Sequence, residues 1–161
     1  MFNKQQRIEE THRITAGSTA LLVVDMQHGF LDEGASLFVP KRRVVLPNVV
    51  KLVEAFRSAD MPVIFTEFVY ATNVPCLRGD PFGIEHLPPE ANEVPAYGNR
   101  SRNCLIGPGA GEGAESAATV DELSPREDEL VVQGHNYDKF YGTPLDLALR
   151  SQNIDRLILT G

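Results

Sequence analysis

Thr19-Ala20-Leu21-Leu22-Val23-Val24 runs without a charge into Asp25. A short continuous apolar run with β-branched residues suits a strand buried on both faces, as in a parallel sheet. Pro62-Val-Ile-Phe-Thr66 repeats the pattern. Between the two, Val45, Val49, Leu52, Val53 and Phe56 fall at three- and four-residue spacing, opposite Lys51, Glu54 and Arg57. That spacing predicts a helix from about Val44 to Ala59. Pro47 is expected in its first turn, where a missing N–H matters little. The loop Ser58-Ala-Asp-Met61 then leads to the second strand. Strand, helix and strand make a βαβ unit with a right-handed crossover.

Working outward, Glu129-Leu-Val-Val132 reads as a third strand and Arg156-Leu-Ile-Leu-Thr160 as a fourth. A helix opens between them at Thr143-Pro144. Thr143 is its expected cap, Pro144 its first position and Asp146 its capping-box acid. Leu145, Ala148 and Leu149 give it an apolar face. Alternating strands and helices predict an α/β fold, a doubly wound parallel sheet. From Glu67 to Arg126 the pattern dissolves. Pro75, Pro81, Pro88, Pro89, Pro95 and Pro108 interrupt it, and only Thr119 to Leu123 suggests a short helix. So long an irregular stretch is expected to be a lid, a binding loop or an interface. Residues 1–17 are polar and read as a surface arm with about one helical turn, and residues 18–161 as one domain. The final apolar run, Leu157 to Leu159, calls for a neighbouring strand and covering helices. The expectation is therefore an N-terminal part of a longer domain, with four strands of about six.

The composition narrows the function classes. Of 161 residues, 42% are hydrophobic and 23% charged, which excludes a disordered chain. No apolar run reaches the ~20 residues of a membrane helix, and the first twenty residues lack a secretory core. A net charge of −7 offers no basic excess for nucleic acid. Two cysteines, Cys76 and Cys104, are too few for a disulfide scaffold, so the expected compartment is cytoplasmic. The expected partners are a small-molecule substrate and further copies of the same chain, without nucleic acid or membrane.

Asp25 is the first candidate for chemistry. It ends a strand, and in open α/β sheets ligands bind beyond the carboxyl ends of the strands. From position alone, a solvated Asp capping a loop accounts for it equally well. Four elements carry a resemblance: Asp25-Met-Gln27-xx-Phe30 after a Leu-Leu-Val-Val strand, Pro-Val-Ile-Phe-Thr at 62–66, Phe140-Tyr-Gly-Thr143 with Leu145-Asp-xx-Leu149-Arg150, and Leu157-Ile-Leu-Thr-Gly161. In this order they resemble the isochorismatase-like cysteine hydrolase superfamily. The resemblance implies a Rossmann-like sheet and an Asp–Lys–Cys site. In that site the Asp deprotonates a thiol, the thiolate attacks an amide carbonyl, and the Lys holds positive charge beside both.

Asp25 matches the family's Asp. The family's cysteine falls a few residues beyond the position of Gly161, and its lysine position is Gly134 here. Lys139 is the preferred replacement and His135 the second choice, with neither as a third option. His135 should point to the opposite face if the strand is still extended there. Cys76 and Cys104 lie in the irregular region, away from any strand end, and read as inert thiols. Gln27, Phe30, His135, Phe140 and Tyr141 are candidate substrate contacts; Phe68 and Tyr70 are further aromatic candidates near strand ends. Core packing explains each aromatic singly.

No metal is expected, because the Asp-x-His pair of the zinc-dependent branch is missing. His12, His28, His86 and His135 lack ligand spacing, though His28 lies near Asp25. No cofactor is expected either. Gly107-Pro-Gly-Ala-Gly-Glu-Gly113 follows no strand and lacks the ending of a phosphate loop. The primary reading is a hydrolase cleaving a C–N bond of a small amide or ureide through a cysteine thioester. A silent domain binding a small molecule or protein, or a true isochorismatase acting on a vinyl ether, are the alternatives.

Overall fold

The computed structural model describes residues 3–35, 38–69, 71, 103–108, 110 and 113–161. Tyr70, Cys76, His86, Gly109 and Gly111 lie outside them, as do all the named prolines from Pro75 to Pro95. Four strands form one sheet: β1 (Thr19–Val24), β2 (Val63–Phe68), β3 (Leu130–Gly134) and β4 (Arg156–Thr160). The order is β3-β2-β1-β4 and every pairing is parallel.

The first strand is central, as its apolar run requires. Leu21 and Val23 turn to one face, where helix α3 (Arg42–Ser58) lays down Leu46, Val49, Val53 and Phe56. Ala20 and Leu22 turn to the other face, under Leu145 and Leu149 of α5 (Leu145–Ser151). Helices therefore cover both faces, and burial of these alternating side chains is the main stabilising contribution. Among the described residues no helix is long and apolar enough to cross a membrane.

Several local readings need correction. The arm carries α1 (Lys4–Thr11), two turns where about one was expected, with Asn3 accepting from the Gln6 N–H at 3.2 Å. Helix α3 starts two residues early, so Pro47 lies in its second turn and has no N–H for the Arg43 carbonyl. Its buried face is correspondingly rotated: Leu46 is in the core, while Val45 is 45% exposed. Pro144 precedes α5 instead of opening it. Thr143 still serves the helix end, its hydroxyl accepting from the Leu145 N–H at 3.2 Å. Asp146 makes no capping box but pairs with Arg150 at 2.7 Å, one turn on.

The irregular stretch contains α4 (Gly113–Ala117), which packs near α2 (His28–Leu31), a one-turn helix that follows β1. The expected helix at Thr119 to Leu123 is a 3₁₀ turn, Asp121–Leu123. A single antiparallel bridge joins Gln27 to Thr119. On the opposite end of the sheet, Arg57 grips Glu129 through two bonds of 2.8 and 2.7 Å, fixing α3 to the start of β3.

Candidate active site

The strand order reverses at β1. The chain builds β1, β2 and β3 in one direction, then places β4 on the other side of β1. Such a switch point opens a crevice at the carboxyl ends of the strands. Asp25 sits there, immediately past Val24.

Its backbone is in the left-handed region (φ 50°), a conformation that Asp tolerates better than most residues. Thr66, at the corresponding point of β2, holds it in place. The Asp25 N–H reaches the Thr66 carbonyl at 3.1 Å, and the Thr66 hydroxyl donates to Asp25 Oδ1 at 2.6 Å. The second oxygen, Oδ2, faces the ammonium of Lys139 at 3.6 Å.

Lys139 is the less expected member of this pair. Its side chain is only 6% exposed. Nζ donates to the Asn136 carbonyl at 2.9 Å and stands 5.1 Å from the centre of the Phe68 ring. Burial lowers its pKa below the ordinary lysine value, while the Asp25 carboxylate opposes the shift without cancelling it. Asn136 adds a further feature: its Oδ1 is buried and has no hydrogen-bond partner among the described residues. Nothing in the sequence distinguished Asn136, Thr66 or the placement of Phe68 under the ammonium, because each depends on strand register.

The other candidates divide. The Gln27 side chain is fully buried, and its amide is engaged on all sides. Nε2 donates to the carbonyls of Phe68 and Ala117 at 2.8 and 2.6 Å, and Oε1 accepts from the Phe68 N–H at 2.7 Å. It is a clamp between β1, β2 and α4, which corrects its reading as a substrate contact. Phe30 is partly buried and packs between two core clusters. Phe140 and Tyr141 are 49% and 59% exposed on the turn before α5. His135 is half-buried, with Nδ1 at 2.9 Å from the Val69 carbonyl, and Phe68 is buried in the core.

Cys104 is not remote from the strand ends, as its sequence position suggested. It packs against the Gln27 amide (3.6 Å) within reach of the charges of Asp25, Glu67 and Lys139. It is nevertheless poorly suited to attack. Burial, with the two carboxylates, pushes its thiol up to about 12. His28 pairs with Asp32, whose Oδ2 lies 2.7 Å from its Nδ1.

A parallel sheet with a carboxylate–lysine pair at its switch point defines a Rossmann-like protein with a candidate site at the strand ends. The isochorismatase domain model matches residues 19–161, and the chain belongs to that family. The ureidoacrylate amidohydrolase RutB of Klebsiella pneumoniae is 32% identical over 148 residues, covering 89% of this chain and 61% of the relative. That of Pseudomonas syringae pv. syringae is 31% identical over 163 residues, covering 94% and 62%. The chain thus spans about three fifths of these curated relatives. A cysteine hydrolase from Pseudomonas syringae pv. phaseolicola superposes with a TM-score of 0.70 at 25% identity, over 92% of this chain and 61% of that one. An N-carbamoylsarcosine amidase from Thermoplasma acidophilum gives 0.63 at 26%, over 89% and 67%.

Proposed function

We propose that this chain carries the acid–base part of an isochorismatase-family amidohydrolase that cleaves a C–N bond of a small amide or ureide. The carrying observation is the Asp25–Lys139 pair, closed off from water on the lysine side and fixed by Thr66 and Asn136. Asp25 takes the proton from a cysteine thiol, and the thiolate adds to the substrate carbonyl. The amine then leaves with a proton returned by Asp25, and water hydrolyses the thioester. Lys139 supplies the positive charge that keeps carboxylate and thiolate from repelling one another. Asn136 Oδ1 is a ready acceptor for a substrate N–H, since an unpaired buried acceptor gains most from a donor.

Its burial and its raised pKa weigh against Cys104 as the nucleophile. In the family the cysteine follows the Thr-Gly that closes the strand matching β4, and β4 lies beside β1 with Thr160 paired to Val23. Gly134 in the family's lysine position favours a silent domain, whereas the ammonium of Lys139 beside Asp25 weighs against one.

The test is ammonia release by the whole protein from ureidoacrylate, N-carbamoylsarcosine and simple amides, beside its Asp25→Asn variant. Turnover of at least one substrate that collapses in the variant is expected. No turnover of any amide or ureide, or a fully active variant, would reject the reading.

A further inference from the structure

Gly134 closes β3 with an ordinary strand backbone, so its conformation does not call for glycine. Glycine inside a strand weakens it, and commonly marks a place that another group approaches closely. Here the approaching group is Lys139. A Cβ built on Gly134 would lie 3.0 Å from Lys139 Cδ, 3.7 Å from its Cε and 3.3 Å from Thr143 Cγ2. The first distance is tighter than nearly all real Cβ contacts. The space a side chain would fill at position 134 is therefore the space the lysine stem runs through.

The turn that carries Lys139 is braced. The Thr143 hydroxyl donates to the Lys139 carbonyl and accepts from the Leu145 N–H, and the Asp138 carboxylate accepts from the Phe140 N–H. Pressure from position 134 would thus fall on the stem more than on the backbone. The stem's far end is the ammonium, 2.9 Å from the Asn136 carbonyl and 3.6 Å from Asp25 Oδ2. A shift of a few tenths of an ångström at Cδ is passed on to those two contacts.

We infer that Gly134 is a positioning residue for the Asp25–Lys139 pair: its bare position is the channel by which Lys139 crosses the end of β3, and that channel holds one lysine stem, entering from 139 or from 134. The inference deepens the proposed function and rests on that reading of the pair, but its test needs no turnover. A failure of the amidohydrolase reading and a failure of this one are therefore separable.

The experiment is a double-mutant cycle in the full chain, with Gly134→Ala, Lys139→Ala and the combination, read by denaturant midpoints. Alongside it, ε-¹³C-lysine NMR follows lysine titration in the wild type, Gly134→Ala and Gly134→Lys/Lys139→Ala. Gly134→Ala should lower the midpoint when Lys139 is present and lose most of that effect when it is truncated. The Lys139 signal should titrate below the ordinary lysine range in the wild type and move further down in Gly134→Ala, because the displaced ammonium stays buried and loses part of its contact with Asp25. The swapped protein should regain a lysine titrating below that range. Gly134→Ala failing to fold alone but folding with Lys139→Ala would support the inference as well. Additive effects, loss of folding regardless of residue 139, an unmoved Lys139 signal, or a swapped lysine titrating as an exposed one would each overturn it.

Discussion

Asp25 and Lys139 lie 114 positions apart in sequence and 3.6 Å apart in space, and each is held by a hydrogen bond, Asp25 by the Thr66 hydroxyl and Lys139 by the Asn136 carbonyl. Removing a general base commonly costs ~10²–10⁴-fold in rate. In the whole protein, Asp25→Asn is expected to fall by at least that much and Lys139→Ala comparably. His135→Ala, whose ring is turned to the Val69 carbonyl, should stay within about an order of magnitude. Steady-state kinetics with circular dichroism as the folding control decide it, and a fully active Lys139→Ala enzyme would remove lysine from the mechanism. Gln27 carries the opposite expectation. Gln27→Leu leaves the Phe68 N–H and the Phe68 and Ala117 carbonyls buried without their partner. Each stranded group costs roughly 1–3 kcal/mol, so thermal melts should show a large loss of stability. A melting temperature equal to the wild type's would show that the clamp is dispensable.

Between elements, the Arg57–Glu129 fork joins the last turn of α3 to the residue before β3. Its side chains are 10% and 9% exposed, so solvent screens the pair weakly. Burial alone would raise the Glu129 pKa, but the Arg57 guanidinium and the Arg126 N–H overcome it and hold the carboxyl below its ordinary 4.5. A carboxyl depressed in the folded state stabilises above its unfolded pKa, and that stability is lost as pH falls through the folded value. Glu129→Gln should therefore lower stability at neutral pH by roughly 1.5–3 kcal/mol, the range for hydrogen bonds to charged groups. Below about pH 4.5 the variant should also lose stability less steeply than the wild type. Urea denaturation at a series of pH values checks both; parallel acid limbs would contradict the assignment.

For the whole molecule, the sheet order makes β4 an edge strand, with Leu159 66% exposed on it. Edge backbone and apolar surface together favour pairing between chains. The 161-residue chain is expected to associate as its concentration rises, and Leu159→Lys to suppress this; sedimentation velocity showing a monomer throughout would refute it. The sequence by itself determined the layered α/β fold, since short unbroken apolar runs suit strands covered on both faces, as β1 and β2 are, and a three-four spacing suits a helix that buries one side. It also singled out Asp25, whose place follows from ending such a run. It misjudged Gln27 and the rotation of α3, because polarity and spacing do not reveal which neighbour a side chain meets. Sequence position ranked Lys139 above His135 without bringing it to Asp25. Only the tertiary structure did that, by the parallel register of β1, β2 and β3 and the room left at Gly134, because contacts between distant residues are set by how strands pair and not by the residues alone.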